Sequence, residues 1–90
     1  MLLIIKSGPE TTEGKRAVKL ARDMAADIVL IQNAVYFAEK ERLEGFCGTA
    51  YVLKDDAALR GVDDIKKGIK IIEYQELIDL MAEEKTIGAF

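Results

Sequence analysis

The chain contains no histidine and no tryptophan, and only one cysteine and one proline among its 90 residues. Without histidine there is no Ser-His-Asp triad, no imidazole acid or base, and no Cys/His zinc site. The single cysteine, Cys47, excludes an intrachain disulfide, and one free thiol suits a reducing, cytoplasmic compartment. An excess of positive charge is missing too, since 13 basic residues stand against 16 acidic ones. No broad cationic face is expected from that balance, and hence no direct affinity for nucleic acid. Long hydrophobic runs are also absent. Met1 to Ile5 is apolar, but Lys6, Ser7 and Gly8 end it. Such a run is far short of a signal-peptide core or of the about 20 residues a membrane span needs. With no low-complexity linker and no internal repeat, residues 1–90 read as one domain.

What the chain does have is apolar residues, at 50% of its composition. A chain of this size exposes about 14,500 Å² unfolded and about 5,200 Å² folded, so roughly 64% of its surface can be buried. That supports a core without a metal or disulfide.

Two types of hydrophobic run alternate along the sequence. Leu2-Leu3-Ile4-Ile5 and Ile28-Val29-Leu30-Ile31 are continuous and rich in β-branched residues, as in strands covered on both faces. Thr49 to Leu53 and Ile69 to Ile72 read as a third and a fourth strand. Between the first two, Ala17, Val18, Leu20, Ala21, Met24 and Ala25 recur at helical offsets, which predicts an amphipathic helix over about 15–25. Ser7 with Glu10 has capping-box spacing, while Thr11 or Thr12 would serve equally as its N-cap. A short helix is predicted from Gln32-Asn33 through Ala38, a helical turn from Lys54 to Leu59, and a loose turn over 63–68. A last helix is predicted over 75–84, with Leu77, Ile78, Leu80 and Met81 inward. Thr86 to Phe90 is an apolar tail that docks on the sheet or on a neighbour. The alternation implies a single α/β/α domain with a mostly parallel sheet of four or five strands, flavodoxin- or Rossmann-like.

In open parallel sheets, sites gather beyond the carboxyl ends of the strands. There the sequence places Ser7, Gln32-Asn33, Lys54-Asp55-Asp56 and Glu73-Tyr74, its most polar edge. Taken singly, these residues also read as turn formers and caps, Asn33 and Asp55 above all. Cys47 is the only strong nucleophile in the composition. Gly45 and Gly48 flank it, but its place ahead of the third strand puts it at the opposite, amino edge. Beside Phe46, a lone thiol reads first as a small packed hydrophobe and second as a nucleophile. Gly8 to Gly14-Lys15 is no P-loop: the spacing is one residue too long, and Arg16 stands where a Ser or Thr should hold Mg²⁺. Asp55 is no receiver phosphoacceptor. The first strand ends in Lys6-Ser7 rather than an acid pair, and no clear fifth strand carries a partner lysine.

Ile28 to Tyr36 (IVLIQNAVY) and Tyr51 to Val62 (YVLKDDAALRGV) resemble the DsrE/DsrF/DsrH superfamily, in particular its small DsrH/TusB branch. Gln32, Asn33, Val35 and Tyr36 match the first part of the family pattern. Lys54, Asp55, Asp56, Arg60 and Gly61 match the second, and Ile72 to Leu80 resembles the last strand and helix. The resemblance implies a cytoplasmic sulfur-relay protein that passes persulfide toward tRNA wobble-uridine 2-thiolation or through sulfur oxidation. It further implies association with DsrE/DsrF (TusD/TusC)-like subunits or a homo-oligomer, with no cofactor and no membrane. The DsrE-type cysteine would fall near Leu53 and the DsrH-type cysteine near Ala17 or Val18, so neither is present, and Cys47 matches neither position. Two readings follow besides a small α/β interaction module unrelated to sulfur. One is a non-catalytic relay subunit that binds through Gln32, Asn33, Tyr36, Lys54, Asp55, Asp56, Arg60 and Phe90. The other is a sulfurtransferase carrying persulfide on Cys47. A subunit interface requires an exposed apolar patch, for which Val35, Tyr36, Phe37, Ile87 and Phe90 are candidates; each also reads as ordinary core, Phe37 first of all, and the tail is the preferred candidate.

Overall fold

A computed structural model describes residues 1–90, apart from the side chain of Ala89. The continuous apolar runs form strands β1 (Leu2–Ile5), β2 (Asp27–Leu30), β3 (Ala50–Leu53) and β4 (Lys70–Ile72). The tail adds β5 (Thr86–Ala89). All four strand pairings are parallel, in the order β4-β3-β2-β1-β5. The fifth strand is therefore real, and the case against a receiver rests on the missing acid pair together with this strand order, since receivers run 2-1-3-4-5. Beyond β5, the Phe90 N–H donates to Ile4 O at 3.0 Å and the Ser7 N–H to Phe90 O at 3.2 Å, so the tail is fastened along β1. The accessible surface is 5374 Å², close to the value expected from chain length.

Connections β1 to β2, β2 to β3 and β3 to β4 all step in one direction, so right-handed crossovers place their helices on one face. These are α1 (Thr12–Asp23), a 3-10 helix (Gln32–Ala38) and α2 (Lys54–Leu59). They cover Leu3, Ile5, Ile28, Leu30, Ala50 and Val52 with Ala17, Val18, Ala21, Ala34, Val35, Phe37 and Ala57, joined by Val62 from the segment after α2. Only the connection from β4 to β5 reverses direction, which sends α3 (Tyr74–Glu83) to the other face. There Leu2, Val29, Leu53 and Ile72 meet one buried residue of α3, Leu77, with Leu80 half-buried beside it.

That imbalance corrects the sequence reading of the last helix. Ile78 and Met81 point outward, each 44% exposed, because one short helix cannot press a wide apolar side onto the sheet. The 3-10 helix offers no exposed apolar patch: Phe37 is core as expected, Val35 is core as well, and Tyr36 is half-buried. Residues 63–66 form no helical turn; a tight turn at 67–68 precedes β4 instead. α1 is capped by Thr11, whose Oγ1 accepts from the Gly14 N–H at 3.0 Å. The capping box sits on α3, between Glu73 and Glu76. Asn33 and Asp55 cap nothing: the 3-10 helix and α2 start after Ile31 and Leu53, without side-chain caps.

Candidate functional site at the carboxyl edge

Parallel pairing brings the ends of β5, β1, β2, β3 and β4 to one edge, so Phe90, Ser7, Gln32, Lys54 and Glu73 stand along a single rim. At its centre the predicted polar residues are hydrogen-bonded to one another. Gln32 turns the chain out of β2 with φ +48°, and its N–H donates to Asp56 Oδ2 at 2.8 Å. Arg60, one turn further along α2, donates from Nε to Asn33 Oδ1 at 2.9 Å and from Nη1 to the Asp56 carbonyl at 3.3 Å. Its Nη1 also lies 3.9 Å from Asp56 Oδ1. The four residues thus clasp the exit of β2 to α2. Lys54 and Asp55 remain exposed on the first turn of α2, where the acids Asp55 and Asp56 favour the helix dipole.

Beside the clasp lies a cleft of about 490 Å³, walled by Gly8, Pro9, Glu10 and Thr11 and, across from them, by Asn33, Tyr36, Glu39, Lys40 and Arg42. Arg42 closes one end. It donates to the Tyr36 carbonyl at 2.8 Å and to Glu39 at 3.4 Å, with Glu10 at 3.7 Å. Gly8 belongs to the wall because a Cβ there would meet Asn33 O at 3.3 Å. Of the predicted residues, Asn33 and Tyr36 line this cleft, and Arg60 is tied to it through its bond to Asn33. Phe90 packs against the core on the far side of β1, part of its ring exposed. Glu10, Glu39 and Arg42 were missed. They sit in ordinary-looking charged stretches, and only folding brings the loop at 39–44 over the turn at 8–11.

Cys47 is at the other edge. The Thr49 N–H donates to Asp27 Oδ1 at 2.9 Å, which fixes the start of β3, and Cys47 precedes it in an exposed loop. Its Sγ makes only a long contact, 3.6 Å, with Gly45 O. The packed-hydrophobe reading is therefore wrong for this thiol. A second cleft of about 410 Å³ adjoins the loop, floored by Phe37, Leu43, Phe46 and Ile69 and rimmed by Glu41, Glu44, Lys66 and Lys67. A four-residue strand, about 13 Å long, separates this edge from the clasp.

Among the described residues no group of three potential ligands is placed to hold a metal, and no helix is long and apolar enough to cross a membrane.

A sequence profile described as "DsrH like protein" matches residues 6–87. This chain belongs to the DsrH-like family. Protein Tm0979 from Thermotoga maritima, known from a solution NMR structure, is 34% identical to this DsrH-like chain. That likeness spans 98% of this chain and 100% of the other, with a TM-score of 0.67. The ychN protein from E. coli, a crystal structure, shares 15% identity over 99% of this chain and 97% of its own, with a TM-score of 0.82, and so shares the fold. No curated protein sequence matches this DsrH-like chain significantly.

Proposed function

We propose that this DsrH-like chain is a binding subunit of a sulfur-relay assembly and carries no persulfide at the family's own positions. The observation that carries the reading is the state of those positions. Ala17, Val18 and Leu53, where family cysteines would fall, are all buried aliphatic residues, whereas four of the polar residues matching the family, Gln32, Asn33, Asp56 and Arg60, form one connected clasp. A chain that keeps the fold and the rim but not the thiol is suited to contacting a sulfur-bearing partner, a DsrE- or DsrF-like subunit, or to forming a homo-oligomer that offers such a partner the same surface. Transfer toward tRNA 2-thiolation or sulfur oxidation would then take place on the partner's cysteine. The test is affinity purification of the tagged chain from its source cells, followed by native mass spectrometry. A stoichiometric cysteine-bearing DsrE- or DsrF-like chain, or a defined homo-oligomer, is the expected result. A monomer without such a partner would sink the reading.

One observation favours a second reading, in which Cys47 itself takes up sulfur: the thiol is exposed, and its chain neighbours Phe46 and Gly48 line a cleft. Incubation with a cysteine desulfurase and cysteine, read by intact mass, decides between the two. A gain of about 32 Da that Cys47→Ser abolishes supports a carrier, and no gain while a control carrier loads rejects it.

A further inference from the structure

α1 and α3 cover opposite faces of the sheet and carry opposite charge. With its two flanking residues, α3 holds Glu73, Glu76, Asp79, Glu83 and Glu84 and no lysine or arginine. α1 holds Lys15, Arg16, Lys19 and Arg22 against Glu13 and Asp23. Together the two helices account for the whole net charge of −3. Both also expose apolar side chains: Tyr74, Ile78 and Met81 on α3 are 63%, 44% and 44% exposed, and Leu20 and Met24 on α1 are 38% and 37%.

The arrangement around each helix is what makes these surfaces complementary. At about 100° per residue, Tyr74, Ile78 and Met81 fall on one flank of α3, while Asp79 and Glu83 fall toward the other. On α1, Leu20 and Met24 occupy one flank and Lys15, Lys19 and Arg22 the other. Measured from the outward direction, the two helices have opposite hands. When they are set face to face with parallel axes, apolar flank therefore meets apolar flank and basic row meets acidic row. An antiparallel setting mismatches both, and α3 against α3 opposes like charges. Within the fold, both helices run antiparallel to the strands they connect, so the parallel setting also leaves the strands of the two molecules pointing the same way. The Lys19–Asp23 pair on α1 is exposed and offers little resistance to exchanging partners.

We infer that α3 of one molecule docks on α1 of a second copy, in parallel. Tyr74, Ile78 and Met81 then pack on Leu20 and Met24, while Asp79 and Glu83 face Lys15 and Lys19. The contact is heterologous: every copy offers one surface of each kind, so assembly continues head to tail unless the rotation between copies closes a ring. The inference rests on the reading of the chain as an assembly subunit and names the surface that reading needs.

Sedimentation velocity and native mass spectrometry on the purified full chain test it. Self-association should rise with concentration and weaken on the order of tenfold from low to high salt. K15E/K19E and D79K/E83K alter exposed positions outside the caps, so circular dichroism should show both folded. Each alone should be monomeric, and an equimolar mixture should associate again, because each reversed surface then finds its complement. A monomeric wild-type chain, or association that neither reversal disturbs, overturns the inference. If the wild-type chain is monomeric but binds a DsrE- or DsrF-like subunit, the functional reading stands and this surface assignment falls.

Discussion

At the scale of single residues, the tightest position is Gly14, buried in the first turn of α1. A Cβ there would collide with the Gly8 carbonyl and lie 2.8 Å from the Ser7 carbonyl, both part of the turn that walls the carboxyl-edge cleft. Backbone cannot step aside as a flexible side chain can. Gly14→Ala should therefore cost about 3 kcal/mol or more in urea unfolding, against the about 1 kcal/mol that the same change gains from helix propensity at an unhindered position. Asp56→Ala removes the acceptor of the Gln32 N–H and a neighbour of Arg60, which should cost about 1–2 kcal/mol, while Asp56→Asn keeps an acceptor and costs less. Chemical shifts at Gln32 and Asn33 would show whether the clasp has opened. Tyr51 supplies the pH dependence. Partial burial, then the negative charges of Asp27 and Glu84, raise its phenol above the ordinary 10.0. The folded state thus holds this proton more tightly than the unfolded chain. Its contribution is complete below the unfolded value and is lost as pH rises through the folded one. Stability measured from about pH 9 to about pH 11 should fall, and less steeply in Tyr51→Phe.

At the scale of elements, α3 separates sequence pattern from packing. The spacing of Leu77, Ile78, Leu80 and Met81 defines an amphipathic helix and tempts one to bury all four. Only Leu77 lies under the helix axis against Leu2, Val29, Leu53 and Ile72. Leu77→Ala should cost about 2–4 kcal/mol, whereas Ile78→Ala and Met81→Ala should each cost less than about 1 kcal/mol, as denaturant midpoints at unchanged slope would show. Equal losses at all three would mean that the helix is rotated from this position. β1 and β2 were legible because both faces of the sheet are covered there, so their sequences are almost continuously apolar. α1 was legible because its inward side is narrow and its outward side strongly charged. The functional rim was legible as a set of polar residues at strand ends. Its internal bonding was not, because Gln32 and Asp56 are 24 residues apart and meet only through the β2–β3 pairing.

At the scale of the whole molecule, the two apolar clusters share one sheet: Leu3 and Ile5 face one way from β1, Leu2 the other. Loss of either cluster unseats the strands that support the other. Unfolding should therefore be a single transition, with circular dichroism and tyrosine fluorescence coincident. Amide exchange should be slowest in β1 and β2, which are paired on both sides, and faster in the edge strand β4. Separate transitions for the two faces would contradict a common core. The same architecture puts the two clefts at opposite ends of the strands, so a ligand at the Cys47 edge and a partner at the clasp need not compete.

Composition alone determined that this protein has no imidazole chemistry, no intrachain disulfide and one thiol, and hydrophobic period alone determined an alternating α/β domain with a polar carboxyl edge. Those properties are local or additive, so reading along the chain reaches them. Strand order, the one reversed crossover and the resulting difference between the two faces were decided only in three dimensions. Periodicity tells which side of a helix prefers contact, but not how much sheet is available to receive it. That quantity follows from the direction of each crossover, and it left Tyr74, Ile78 and Met81 exposed while it buried Val35 and Phe37. Cys47 shows the same division: its edge follows from its place before β3, and its exposure from how the loop at 45–48 lies over the folded core.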